Sequence, residues 1–138
     1  MAIIAIDFGK RRIGLAIAES ALSVAYPLGI ITRSSWDEDL KQLQGWITSR
    51  AASQLVVGLP LNMDGSEGSS ARAARTFGGR LAAHLHLPVD YVDERLTSFE
   101  ARERLLNHGS KRRRKTSVDA VAATIILEEW LTTHRNSS

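Results

Sequence analysis

The stretch Ala2-Ile3-Ile4-Ala5-Ile6-Asp7-Phe8-Gly9-Lys10-Arg11-Arg12-Ile13-Gly14-Leu15-Ala16-Ile17-Ala18 decides how the rest of the chain is read. Ala2 to Ile6 is wholly apolar and rich in Ile, the composition of a strand buried on both faces. Arg12 to Ala18 is a second apolar run, and Phe8-Gly9-Lys10-Arg11 between them is short enough to turn a hairpin. The first strand ends on an acid, Asp7. A carboxylate leaving a central strand is costly to desolvate unless it meets cations or donors. Asp7 therefore reads either as a metal ligand or, more plainly, as a polar strand end, since Asp ahead of Gly is ordinary turn chemistry.

Outward from this hairpin, Val24 to Tyr26 and Leu28 to Thr32 predict a third strand, which Pro27 places at a sheet edge. Ser35-Trp36-Asp37-Glu38 is a capping box opening a helix to about Ala51, with Trp36, Leu40, Leu43 and Ile47 at helical spacing. Gln54 to Gly58 predicts a strand parallel to the first, because a helix precedes it. Leu59 to Gly68 is a loop by its Pro, Asn, Asp and Gly content, and it lacks the Gly-Lys-Ser/Thr of a phosphate-binding loop. A second helix spans Ser69 to about Leu85. Its Arg72 and Arg75 either touch phosphates or form a solvated face, the more usual fate of such arginines. Gly78-Gly79 within it costs helix stability unless something packs closely there.

Pro88 to Val92 predicts a fifth strand, leading into Asp93-Glu94-Arg95. Thr97-x-x-Glu100 opens a helix carrying Ala101 and Leu105, which Asn107 to Ser110 stops. Lys111-Arg112-Arg113-Arg114-Lys115 reads as a basic, mobile loop, and Thr116 begins a last helix to about Thr133, leaving 134–138 as a tail. On that helix Asp119 shares a face with Ala122, Ala123, Ile126 and Trp130. Asp119 is also the third helical position after Thr116, where an acid simply stabilises a helix start. None of the four histidines has another histidine at i+4 that would make a zinc pair, and they read as ordinary surface or packing residues.

The 138 residues predict a single domain, 1–138, large enough for a core without staples. With no cysteine, disulfides, thiolate metal sites and cysteine nucleophiles are excluded. The apolar opening is too short for a signal segment and no stretch approaches membrane-spanning length, so a cytoplasmic protein is expected. Net charge is +3, yet 111–115 alone carries +5, so the remainder nets −2. A local basic patch with Lys10-Arg11-Arg12 beside it suits an extended polyanion; a solvated loop without a partner explains the charge equally well.

The predicted fold is α/β: a mixed five-stranded sheet, its first three strands antiparallel and its last two parallel to the first, with helices on both faces. In that layout Asp7, the Asp93-Glu94 pair and Asp119 can converge at the carboxyl end of the central strands, where open α/β sheets bind ligands. Gathered carboxylates repel without a cation, and hard oxygens suit Mg²⁺ or Mn²⁺.

Four segments in register, Asp7 to Gly14, Val56 to Gly68, Asp93 to Ser98 and Val118 to Ala123, resemble the YqgF (RuvX) family from Met1 to about Leu131. The resemblance implies a ribonuclease H-like fold and metal-dependent phosphodiester hydrolysis. It implies maturation of the 5′ end of 16S rRNA in ribosome biogenesis, and the family is also described as a Holliday junction resolvase. By motif position Asp7, Glu94 and Asp119 would be the catalytic acids and the ligands of Mg²⁺ or Mn²⁺. Lys10 and Ser98 depart from the family pattern without removing an acid. The fourth strand ends without one, so Glu94 must reach inward from the outer fifth strand, while Asp93 orients Arg95 or caps the turn. Lys10, Arg11, Arg12, Arg72, Arg75, Arg95, Lys111, Arg112, Arg113, Arg114 and Lys115 would grip the backbone of precursor rRNA or branched DNA. No membrane partner is expected, and the protein is a monomer or a homodimer, a resolvase requiring the two-fold pair. The alternatives are a junction-cutting DNA endonuclease, or a module on the same fold that binds nucleic acid without cutting it. Nucleotide hydrolysis of the sugar-kinase or actin type ranks last, because it needs two such domains and a Ser or Thr where Lys10-Arg11 stands.

Overall fold

The computed structural model describes residues 1–96 and 111–136, apart from the side chains of Leu96, 111–119 and Asn136. Five strands, β1 (Ala2–Phe8), β2 (Arg12–Ala18), β3 (Tyr26–Thr32), β4 (Ala52–Leu59) and β5 (Val89–Asp93), lie in the order β3-β2-β1-β4-β5. β1 pairs antiparallel with β2, β2 antiparallel with β3, and β1-β4 and β4-β5 are parallel. This is the mixed sheet that the sequence predicts, with β1 at its centre and Pro27 on an edge strand.

The two faces of the sheet differ in side-chain size. One carries Ile4 and Ile6 of β1, Ile13, Leu15 and Ile17 of β2, and Leu55 and Val57 of β4. Over them pack α1 (Trp36–Arg50), through Leu43 and Ile47, and α2 (Ser69–Leu85), through Ala74, Phe77 and Leu81. The other face offers Ala5, Ala16 and Ala18, with Ile3, Val56 and Val92, to Ala123, Ile126, Leu127 and Trp130 of α3 (Lys111–Asn136). Strand alternation produces both faces, since successive residues point to opposite sides. Large aliphatics fill the wide layer beneath two helices, and alanines let one helix lie close.

Local signals set the helix starts and ends. Ser35 caps α1 by accepting the Glu38 N–H at 3.2 Å, as the capping box predicts. Both α1 and α2 close on a residue in the left-handed region, Ala51 and His86, each at φ 54°.

Two readings near the end of the chain are corrected. The basic run 111–115 stands on the first turns of α3 rather than in a loop. Lysine and arginine propagate helix well, and that propensity outweighs the unfavourable placing of cations at a helix N-terminus. The supposed tail at 134–138 is helical to Asn136. His134 stacks on Trp130 at 3.7 Å between ring centroids, and Arg135 donates to the carbonyls of Ala21 and Ser23. The helix expected from Thr97 lies outside the described residues.

Gly78 and Gly79 have different causes. A Cβ on Gly78 would sit 2.6 Å from the Tyr91 Oη of β5, whereas one on Gly79 would meet nothing within 4 Å. Gly78 is therefore the close approach that lets α2 lie on β5, and Gly79 is a dispensable propensity loss. Gly78→Ala is expected to destabilise by about 1–3 kcal/mol through overpacking, and Gly79→Ala to stabilise by about 0.5–1 kcal/mol. Urea unfolding of the two variants measures the difference; equal effects would remove the close-packing account.

Candidate active site

Asp7 is half-buried near the carboxyl end of β1, opposite Gly14 of β2. It continues the alternation of Ile3 and Ala5, so it belongs to the face that α3 covers. On the other side, Ile6 pairs with Val57, and Asp7 and Gly58 are the next residues along the two strands. Gly58 in turn pairs with Val92, two residues before Glu94. The acid on the central strand thus has a glycine beside it on each neighbouring strand.

Gly58 is what allows a second carboxylate to arrive. A Cβ placed on it would stand 3.1 Å from Glu94 Oε1 and 2.5 Å from the Ile126 Cδ1 of α3. Glu94, half-buried in the short 3-10 turn Glu94–Leu96, therefore folds back from the end of β5 across β4. The space that a side chain on β4 would fill is taken by the Glu94 carboxyl group.

Asp93 takes the other course. Its carboxylate accepts the Arg95 N–H at 2.9 Å, the Arg95 Nη2 at 2.7 Å, and Nε through both oxygens at 3.1 Å. Hydrogen bonds from Arg95 hold the Asp93 carboxyl below the usual carboxylate range, against a smaller opposing effect of burial. Arg95 Nη1 also donates to the Met63 carbonyl at 3.1 Å, tying the β4-α2 loop to the end of β5. Asp93 orients Arg95 and caps the turn, both roles that the sequence allowed.

The β4-α2 loop is internally bonded. Asp64 accepts the Ser66 N–H and hydroxyl at 2.9 and 2.6 Å, the hydroxyl bond being the main reason its carboxyl titrates low. Gly65 takes φ +88°, a conformation that a side chain resists, and lies under the Arg95 guanidinium. Asn62 and Asp64 are turn formers here.

Arg75 forms a two-point pair with Glu67 at 3.0 and 2.9 Å, and Arg72 donates to the Glu67 carbonyl at 2.9 Å. These two, with Arg95, serve the frame of the loop in this structure. Lys10, Arg11 and Arg12 are exposed on the β1-β2 hairpin. Arg33 braces that hairpin through Nη1 to the carbonyls of Gly9 and Lys10 at 2.9 and 3.1 Å. Sequence reasoning missed both Arg33 and Gly58. A cation just past the third strand gives no sign of bracing a turn some twenty residues earlier, and a glycine closing a strand looks like a turn former.

Asp119 lies on α3 seven residues before Ile126. Stepping from Trp130, whose Nε1 donates to Asp90 at 2.9 Å, back to Ile126 beside Gly58 moves toward the carboxyl ends of the strands. Position 119 lies roughly 10 Å of helix further the same way. Its side chain, with those of 111–115, falls outside the described residues. Among the described residues no three acids or histidines gather as a metal site. The structure seats Glu94 over Gly58 on β4, the strand next to that of Asp7, and puts the backbone of Asp119 toward the same end of the sheet.

A mixed sheet of this order with acids at its carboxyl end defines a ribonuclease H-like α/β protein. Its fold matches T. thermophilus RuvC in complex with Holliday junction substrate, TM-score 0.65 and 15% identity over 98% of this chain and 96% of that one. It also matches the fowlpox virus Holliday junction resolvase bound to its substrate DNA, TM-score 0.62 and 10% identity over 97% and 99%. The RuvX family model, described as Holliday junction resolvase, matches residues 1–133, and the chain belongs to that family. A relative from Anaeromyxobacter sp. (strain Fw109-5), named "Putative pre-16S rRNA nuclease", is 45% identical over 132 residues, 95% of this chain and 96% of its own. One of the same name from Trichormus variabilis is 42% identical over 134 residues, 96% and 89%.

The Asp93–Arg95 pair carries a pH dependence. A carboxyl held low in the folded chain contributes stability that is present above its ordinary value and is lost as pH falls through the folded value. The pair is part-exposed, its side chains 21% and 39% accessible, so the contribution is small. Thermal melts are expected to show Asp93→Asn less stable at neutral pH, with the gap to wild type closing below the ordinary carboxylate range. A gap that persists in acid would mean that the pair is not its source.

Proposed function

We propose that this protein is a divalent-metal-dependent nuclease that hydrolyses phosphodiester bonds in maturing the 5′ end of 16S rRNA. The observation that carries the reading is the Glu94 carboxyl group seated over Gly58, on the strand next to that of Asp7. A chain does not bring a second acid across a strand to a half-buried first one without cost, because like charges at short range oppose each other's ionisation. A divalent cation offsets that cost. Hard oxygen donors, no cysteine and no paired histidines fit Mg²⁺ or Mn²⁺. Asp7, Glu94 and Asp119 would hold it. A bound divalent ion supplies Lewis-acid stabilisation of charge on the phosphoryl oxygens and makes water a stronger nucleophile.

The chain's own groups do the rest. Gly58 leaves the place that the Glu94 carboxyl group takes, and Gly14 puts no side chain beside Asp7 on β2. The Asp93–Arg95 clamp holds the turn carrying Glu94 at a fixed distance from β4. Lys10, Arg11 and Arg12, exposed at the same end of β1, would take flanking phosphates, as would 111–115 at the start of α3. Arg72, Arg75 and Arg95 shape the loop that borders the site. The names of the relatives favour precursor rRNA over branched DNA as substrate, and action on rRNA fits a cytoplasmic enzyme. A monomer suffices for that reaction; a junction resolvase would need a two-fold pair.

The test is cleavage of a precursor 16S rRNA fragment and of a four-way DNA junction, with Mn²⁺ and with chelator. Wild type is expected to cut the RNA only with metal, and Asp7→Asn to lose roughly a hundredfold or more while folding normally. Cleavage by Asp7→Asn at the wild-type rate would falsify the assignment. Cutting of the junction alone would make the DNA reading the correct one.

Gly58→Ala separates packing from chemistry. The added methyl group meets Ile126 and Glu94 together, so stability is expected to fall by about 1–3 kcal/mol and cleavage by roughly tenfold or more. Adding Ile126→Val, which removes Cδ1, is expected to restore most of the stability but not the cleavage. Recovery of both would show that Glu94 is a bystander.

A further inference from the structure

On the face of the sheet away from Asp7 lies a groove that the chemistry above does not use. Phe8 follows Asp7 on β1 and so points to the opposite side, where it stacks on Phe77 of α2 at 4.2 Å. Trp36, at the start of α1, meets Phe77 edge-on at 5.7 Å. Two guanidiniums lie on these rings, Arg33 at 4.2 Å over Phe8 and Arg80 at 3.9 Å over Trp36. The hollow between them is about 300 Å³. A second hollow of about 270 Å³ shares Phe8, Arg33 and Ala73 with it and reaches Lys10 and the serines that open α2. Together they make one groove running from the β1-β2 hairpin to Arg80.

We infer that this groove binds a single-stranded nucleic-acid segment flanking the scissile phosphate. The inference rests on the nuclease reading and extends it to a second face of the molecule. Its walls combine what such a strand needs: flat surfaces for bases, fixed cations for phosphates, and hydroxyls. A guanidinium lying flat on an aromatic ring presents its outer face to a base and its N–H edge to a phosphate. Lys10, Arg33 and Arg80 bring three positive charges against one carboxylate on the lining, Asp39. Asp39 is 5% exposed and accepts the Ser34 N–H at 3.1 Å, so it faces the backbone more than the groove. The hairpin joins the two faces. A strand whose phosphate sits by Asp7 can cross Lys10 and Arg11 and continue along Arg33 to Arg80.

Arg80 is the residue to test, because it is exposed and Arg33 is already committed to the hairpin carbonyls. Fluorescence anisotropy would follow binding of the full chain to single strands of about twelve nucleotides, within the span of such grooves, as RNA, as DNA and as a blunt duplex. For whichever single strand binds, Arg80→Glu is expected to weaken binding roughly tenfold and to lower the salt slope by about one. Arg80→Lys is expected to keep the slope and lose part of the affinity, since it retains charge without the flat stacking surface. The duplex is expected to be affected less. Wild-type affinity and slope in folded Arg80→Glu would overturn the inference, as would equal losses for single strand and duplex. Wild-type cleavage by Asp7→Asn in the separate cleavage assay would count against the active-site reading and leave the groove result standing.

Discussion

The structure depends on a carboxylate placed where carboxylates are expensive. Asp7 lies on the central strand of the sheet, one residue beyond five that are almost fully enclosed. Removing such a group from water costs several kcal/mol unless partners are supplied. The fold leaves Asp7 half-buried. It surrounds Asp7 with absent side chains, Gly14 on one neighbouring strand and Gly58 on the other, and then brings Glu94 into the space that Gly58 leaves. The arrangement is the one on which the proposed cation site rests.

The contrast between the two faces of the sheet follows from the same site. Alanines at 5, 16 and 18 let α3 lie close, and Ile126 reaches the Gly58 position. A bulkier residue in that layer would lift the helix and move position 119 away from the carboxyl ends of the strands. On the opposite face no such proximity is needed, and isoleucines and leucines fill a deeper layer beneath two helices. Core packing and site geometry are therefore set by the same residues on the α3 side. On the α1-α2 side they are largely independent, except where Gly78 lets α2 settle against Tyr91.

Much of this was legible in the sequence, and for identifiable reasons. Strands β1, β2 and β4 are short apolar runs bounded by turn residues, and a run of that kind has few other homes. Ser35 and Glu38 announce α1 because capping is local chemistry. Asp7 stands out as an acid after an apolar strand, although the residues alone favour a turn former there. The misread parts are those where local signals compete or are silent. Five consecutive cations look like a solvated loop by charge, while their helix propensity says otherwise, and the start of α3 followed propensity. Gly58 and Arg33 were invisible as site residues because their roles exist only once strands are paired: one through a missing Cβ, the other through carbonyls some twenty residues away.

Asp7 and Phe8 show how much one strand end can organise. Adjacent residues on a strand must point to opposite faces, so an acid followed by an aromatic ring sends charge to one side and a stacking surface to the other. The hairpin that follows then has to pass around the edge between them, and it carries Lys10, Arg11 and Arg12 as it does so. Arg33 fixes that hairpin by its carbonyls and lies on the Phe8 ring, so one side chain couples the basic turn to the aromatic groove. A mobile hairpin would leave its cations to adopt many positions, each weakly held by solvent. A braced one presents them in a constant relation to the acids behind it. That constancy is what a nuclease requires, because a displacement of a single ångström between phosphate and reacting groups can cost two orders of magnitude in rate, about 2.7 kcal/mol. The brace therefore belongs with the proposed site as much as the carboxylates do, although Arg33 itself lies on the other side of the sheet.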